Sequence, residues 1–206
     1  MSNQFSKRAL DLIVTFEGVD QPGHWPGGHS GVTIGYGFDL GYESREDFDA
    51  AWSRRMSAEH ADRLRATIGM HGQSAHVASK KLGDIIVSQV DALAVLMDFT
   101  LPAYIDEARE AFTGFDQLPL DTQGALVSLV YNRGSDMTDN NKVLEDRREM
   151  RAIRDAIPRG DLHEIAKQLR SMKRLWEGKG LDGLIRRREA EARLVESCIT
   201  FGGSNA

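Results

Sequence analysis

Cysteine is nearly missing from this chain. Cys198 is the only one in 206 residues, which excludes an intrachain disulfide framework and any thiolate-cluster metal site and leaves Cys198 as a small apolar residue. Long apolar runs are missing as well. No stretch approaches the roughly 20 apolar residues of a membrane span, and Asp11 and Glu17 break the first apolar pattern before it reaches the length of a signal-peptide core. A positive excess is also absent: 26 lysines and arginines face 31 acidic residues, for a net charge of -5, so the whole-chain field does not favour a polyanion such as nucleic acid. The histidines at 24, 29, 60, 71, 76 and 163 form no H-E-x-x-H pattern, and the acidic residues form no EF-hand loop. No metal and no other cofactor is expected. What remains is ordinary globular composition, 41% apolar and 28% charged, enough for one domain or for two lobes sharing a cleft.

The chain divides by pattern. From Ser6, a candidate cap, Leu10, Ile13, Val14 and Glu17 recur at helical spacing, so a helix carries a carboxyl at the end of an otherwise apolar stripe. Residues 18–31 hold five glycines and two prolines and read as a loop. Over residues 31–41, Val32, Ile34, Tyr36 and Phe38 alternate with Thr33, Gly35, Gly37 and Asp39, the period of an extended strand with one apolar and one nearly bare face. Beyond Gly41 the pattern is helical. Ser44, Ser57, Ser74 and Ser88 are candidate caps, and Pro102 is expected to limit the helix that starts at Ser88. Further helices are predicted over 121–134, 143–157, 161–172 and 183–197, with a frayed tail over 202–206. Residues 18–43 therefore supply a small β element and 44–200 a mainly helical body, which in fold class is α+β, predominantly α.

Three residues carry candidate chemistry. A carboxyl on an inward helix stripe loses water, which favours the protonated form that a general acid needs, so Glu17 is an acid, or it sits at the helix end where the stripe meets solvent, or it pairs with an arginine as a structural ion pair. Thr33 and Asp39 share the bare side of the strand with Gly35 and Gly37. A straight strand would hold them roughly 20 Å apart, so the glycines must bend the chain if both are to serve one bond. The alternative is a glycine-rich hairpin with an exposed threonine and a turn aspartate. Arg188 falls on the same face as Ile185, Ala192, Val195 and Ile199, where a guanidinium needs an anion. Glu17 or Glu191 can supply it, with exposed Arg186 or Arg187 as the other candidates for Glu17. The arginines at 147, 148, 151 and 154 read as a solvated face or as a contact for anionic polymers.

The segments Phe16-Glu17-Gly18 and GVTIGYGFDLG at 31–41 resemble the opening of the phage-type lysozymes, which are muramidases. The usual phage aspartate, nine residues after the glutamate, is here Pro26. The order Glu, Thr, Asp is instead similar to the pesticin-like lysozyme domain and related endolysins. QGALVSLVYNRG at 123–134 is similar to the central helix of these enzymes, and WEGKGLDGLIRRREAE at 176–191 to their C-terminal signature; over 44–115 the likeness is weak. The resemblance implies one lysozyme-like domain over 1–206, with a β-hairpin lobe and a larger helical lobe flanking a cleft. It assigns catalysis to Glu17 as acid, Asp39 as base or stabiliser and Thr33 as the holder of water. It places Tyr36, Tyr131 and Asn132 at the sugar and Arg188 in an orienting role. The expected reaction is hydrolysis of peptidoglycan between N-acetylmuramic acid and N-acetylglucosamine by an endolysin or an antibacterial toxin. A wall-binding module without turnover and a chitinase-like glycosidase are the alternatives. Such a protein is expected to be a monomer, made in the cytoplasm without a signal peptide and acting at the wall. Bacterial peptidoglycan is its partner, with an immunity protein in the toxin case, and neither nucleic acid nor stable membrane insertion is expected.

Overall fold

A single short hairpin and a series of helices make up the protein, as described by a computed structural model over residues 5–139 and 145–202. The predicted helix start at Val143 and the tail over 203–206 lie outside the described residues. The fold is α+β and mainly helical, as a lysozyme-like chain should be. No helix among the described residues is long and apolar enough to cross a membrane. The chain forms two compact units, Glu17–Ala103 and Met1–Phe16 with Tyr104–Ala206.

In the unit Glu17–Ala103 the pattern of residues 31–41 is not one strand. It is a hairpin of β1 (Thr33–Ile34) and β2 (Phe38–Asp39), paired antiparallel with Thr33 opposite Asp39 and Ile34 opposite Phe38. Gly35 and Gly37 adopt φ of 63° and 73°, a left-handed conformation that side chains resist, and this reverses the chain. Val32, Ile34, Tyr36, Phe38 and Leu40 are buried as the apolar face predicts; on the other face Thr33 is buried as well, Asp39 is half-buried and Gly37 exposed. Trp52 covers the turn at Gly35, where a Cβ would lie 2.9 Å from its ring. The 18–31 loop is anchored by Trp25, whose indole N–H donates to the Ser30 carbonyl and whose ring stacks on His76 at 4.9 Å.

Three of the four serine caps stand. Ser44, Ser57 and Ser88 accept the backbone N–H three residues on and open α2 (Arg45–Trp52), α3 (Ala58–Arg65) and α5 (Gln89–Val95). Ser74 does not, because α4 (Gly72–Ser79) starts earlier, at His71, and Ser74 instead donates to the His71 carbonyl. Pro102 also fails to stop its helix. A π turn over Leu96–Thr100 widens the register, and the helix continues into α6 (Leu101–Ala111) with proline in its first turn, where no N–H is required.

In the other unit, α1 (Lys7–Glu17) starts at Ser6, whose Oγ accepts from Ala9 N at 3.3 Å. It is held against α7 (Leu120–Arg133) by Asp121, which accepts from Ser6 and, at 2.7 Å, from Arg8. The helices approach at Gly124, where an added Cβ would overlap that of Ala9. Gly124→Ala is therefore expected to lower stability by about 1–3 kcal/mol, read as a reduced denaturation midpoint with an unchanged slope. A shift below 0.5 kcal/mol would show that α1 moves aside freely. Next come α8 (Arg148–Ala156), α9 (Leu162–Ser171) and α10 (Asp182–Gly202); α10 packs on α9 and α7, and α8 on α9. The predicted 143–157 helix begins at Arg148 among the described residues. Its arginines are engaged: Arg148 bonds Glu145 and Glu149, Arg151 bonds Asp139, and Arg154 bonds Asp155. Cys198 is half-buried beside Thr122, and Met150 and Met172 lie in the core.

Candidate active site

Glu17 is the last residue of α1 and half-buried, as the helix-end position of its stripe predicts. Three residues later the chain meets the hairpin turn. Asp20 and Gly35 form an antiparallel bridge through Asp20 N–H to Gly35 O at 2.6 Å and Gly35 N–H to Asp20 O at 3.0 Å. The Gly37 backbone amide acts on the Asp20 carboxyl in favour of its ionised form. Asp20 thus stands within electrostatic reach of both Glu17 and Asp39. Glu17, Asp20 and Asp39 all belong to this unit, and Asp20 feels the charge of both other carboxyls.

The reversal at Gly35–Gly37 also solves the spacing problem. Thr33 and Asp39, far apart on a straight strand, become cross-strand partners, whose Cα atoms are about 4.5–5.5 Å apart in antiparallel pairs. The Asp39 carboxyl is held by backbone. Gly31 N–H donates to Oδ1 at 2.9 Å and to Oδ2 at 3.1 Å, and Gly41 N–H donates to Oδ1 at 2.8 Å. Both donors have to be glycine. A Cβ on Gly31 would overlap Asp39 Oδ1 and lie 2.6 Å from Gly41 Cα, and one on Gly41 would lie 2.7 Å from His71 Nδ1. His71 in turn packs against the exposed Tyr42 ring at 4.7 Å.

Thr33 departs from the exposed hairpin residue of the alternative above. It is 5% exposed, and its Oγ1 is buried without a hydrogen-bond partner. A hydroxyl left unsatisfied costs stability, about 1–3 kcal/mol, so it is an uncommon thing to find in a native interior. Tyr36, in the turn, is 3% exposed.

Burial, then the adjacent Glu17 carboxyl, pushes the Asp20 carboxyl above its ordinary range. Asp39 adds to that push, while the Gly37 amide and His24 pull the other way. Sequence reasoning missed Asp20. Its only signal was an acidic residue at the start of a glycine-rich loop, and what gives it weight is a tertiary bridge to Gly35.

The remaining candidates belong to the other unit. Tyr131 and Asn132 are half-buried at the end of α7. The Tyr131 ring lies 4.4 Å from that of Tyr104 and 6.0 Å from the Arg187 guanidinium. Arg188 is fully buried on α10 and donates to Glu191 Oε1 at 2.6 Å, with its guanidinium 5.9 Å from the Trp176 ring. Glu191 also accepts from Ser128 at 2.6 Å. Arg187, expected to be exposed, is 2% exposed, because Ser128 Oγ and O accept from it at 3.1 Å and Glu191 lies 3.4 Å away.

A mainly helical chain with one hairpin, an acid at a helix end and a threonine facing an aspartate across that hairpin defines a lysozyme-like protein. The family model described as Pesticin, a bacterial toxin homologue of phage lysozyme (C-terminal part), matches residues 9–146, and the chain belongs to this family. No curated protein matches the sequence. The matched residues run through 44–115, where the motif likeness is weak, and stop before the Trp176–Glu191 segment. Membership gives the protein a muramidase-type function in general, with peptidoglycan as its class of substrate.

Proposed function

We propose that the protein cuts the β-1,4 bond between N-acetylmuramic acid and N-acetylglucosamine of peptidoglycan, acting as one lysozyme-like domain. The observation that carries this reading is the Thr33–Asp39 cross-strand pair, in which an amide-bound carboxylate faces a buried hydroxyl with no protein partner. A hydrolase needs a place to hold water next to a carboxylate, and an unsatisfied hydroxyl supplies the missing bond. Glu17 protonates the leaving oxygen, Asp39 acts as base or stabilises the developing charge, and Thr33 orients the water. A threonine-held water favours inversion. Tyr131 and Asn132 make sugar contacts and Arg188 orients through its bond to Glu191, whereas Tyr36, buried in the turn, is set aside as a sugar contact.

The family description supports a lytic toxin as the setting, with an endolysin as the other one. In the toxin case an immunity protein protects the producer. The protein acts as a monomer at the cell wall.

Thr33→Val separates this role from a structural one. It keeps the shape and deletes only an unpartnered hydroxyl, so it is expected to melt at or above the temperature of the native protein. It is also expected to lose about 10-fold or more in kcat, a typical scale for one lost positioning hydrogen bond. Unchanged kcat on peptidoglycan would remove Thr33 from the mechanism. Peptidoglycan and chitin oligomers digested side by side decide the substrate, and faster turnover of chitin would favour the chitinase-like alternative.

A further inference from the structure

We propose that the exposed ring of Tyr42 is a stacking platform for a sugar of the glycan strand, set beside the Asp39 carboxyl. The role rests on the muramidase function proposed above and adds a binding residue to it. Tyr36, the aromatic residue of the hairpin expected at the sugar, is buried in the turn, whereas Tyr42, three residues after Asp39, is 69% exposed. The residues that place Tyr42 all belong to the unit Glu17–Ala103.

An exposed tyrosine is by itself ordinary. This one is fixed by three contacts. Its backbone N–H donates to the Asp39 carbonyl at 3.0 Å, its phenol O–H donates to the His29 carbonyl at 3.3 Å, and the His71 ring at the start of α4 lies 4.7 Å from its own, tilted by 57°. The same neighbours fix the carboxyl. Gly31, two residues beyond His29 on one loop, donates its N–H to both Asp39 oxygens. His71 adjoins it as well: a Cβ on Gly41 would lie 2.7 Å from His71 Nδ1 and 3.0 Å from Asp39 Oδ1, so one methyl-sized space touches both the ring and the carboxyl. Gly72 N–H donates to the Ser30 carbonyl at 3.0 Å and ties the start of α4 to that loop. The platform and the carboxyl are therefore held in one frame.

A pyranose offers an aromatic ring a face of C–H groups and carries its hydroxyls around the edge. A tyrosine already held in place meets that face with little further loss of rotamer freedom, which makes it an efficient contact. Tyr42 takes no part in proton transfer, so its contribution falls on substrate binding.

Tyr42→Ala should raise KM on peptidoglycan about 5-fold or more and leave kcat within about 2-fold, the scale of one lost aromatic contact. Tyr42→Trp should restore KM, since it returns an aromatic face, and Tyr42→Phe should stay near the native protein because it loses only the bond to His29. A purely structural role predicts a different pattern: a lower melting temperature, a fall in kcat and no rescue by tryptophan. Binding supplies a readout independent of turnover. Peptide-free glycan strands titrated into Glu17→Gln should bind about 5-fold more weakly once Tyr42→Ala is added. A native KM in Tyr42→Ala, or equal affinity in the two titrated proteins, would overturn the platform. If the native protein released no fragments from peptidoglycan, the muramidase function would fall, while the titration would still decide whether Tyr42 holds sugar.

Discussion

Glu17→Gln should fold as the native chain does and hydrolyse peptidoglycan about 10²–10⁴-fold more slowly, the range by which general acids accelerate such reactions. The substitution keeps the length and shape of the side chain at the end of α1 and removes its ionisable, transferable proton. The loss should appear in kcat, with KM little changed, because the proton moves in the transition state and contributes little to ground-state binding. Glu17→Asp should fall between the two, since it retains the acid but withdraws it by one methylene. Binding to intact wall should survive in both variants. A folded Glu17→Gln protein with native kcat would remove Glu17 from the reaction.

Gly31→Ala should be the most damaging single-methyl change in the hairpin. The new Cβ would overlap Asp39 Oδ1 and lie 2.6 Å from Gly41 Cα, where backbone rather than a flexible side-chain tip must move. Relief requires the Asp39 carboxyl to leave its two amide donors, which are then left unpaired unless water enters. A stability loss of about 1–3 kcal/mol is expected from the overpacking, together with a loss of activity comparable to that of Asp39→Asn. Denaturant unfolding and turnover on the same preparation check both. An alanine variant with native activity would show that the position of the Asp39 carboxyl is immaterial to catalysis.

The parts of the fold that were legible in the sequence are those decided within a few residues. Ser44, Ser57 and Ser88 cap helices because the donor that each satisfies is three residues away, and the stripe ending at Glu17 was readable from its helical spacing. Elements settled by distant partners were not. The glycines over 31–41 called for a reversal, but its place, with positive φ at Gly35 and Gly37 and Trp52 against the turn, was not readable from strand periodicity. Pro102 looked like a stop because the π turn ahead of it is invisible to a rule based on regular helices. Arg187 looked exposed because its anion and its carbonyl acceptor lie on Glu191 and on Ser128 of another helix. In the candidate site, Glu17, Thr33 and Asp39 could be named from motif order. Asp20 is tied to the hairpin turn only through its bridge to Gly35, a tertiary pairing that no motif signals.

The most direct measurement is mass spectrometry of the fragments released from purified sacculi. The account predicts new reducing ends on N-acetylmuramic acid, formed by the native protein and lost with Glu17→Gln. Reducing ends on N-acetylglucosamine, cuts within the peptide stems, or no fragments from the native protein would contradict it.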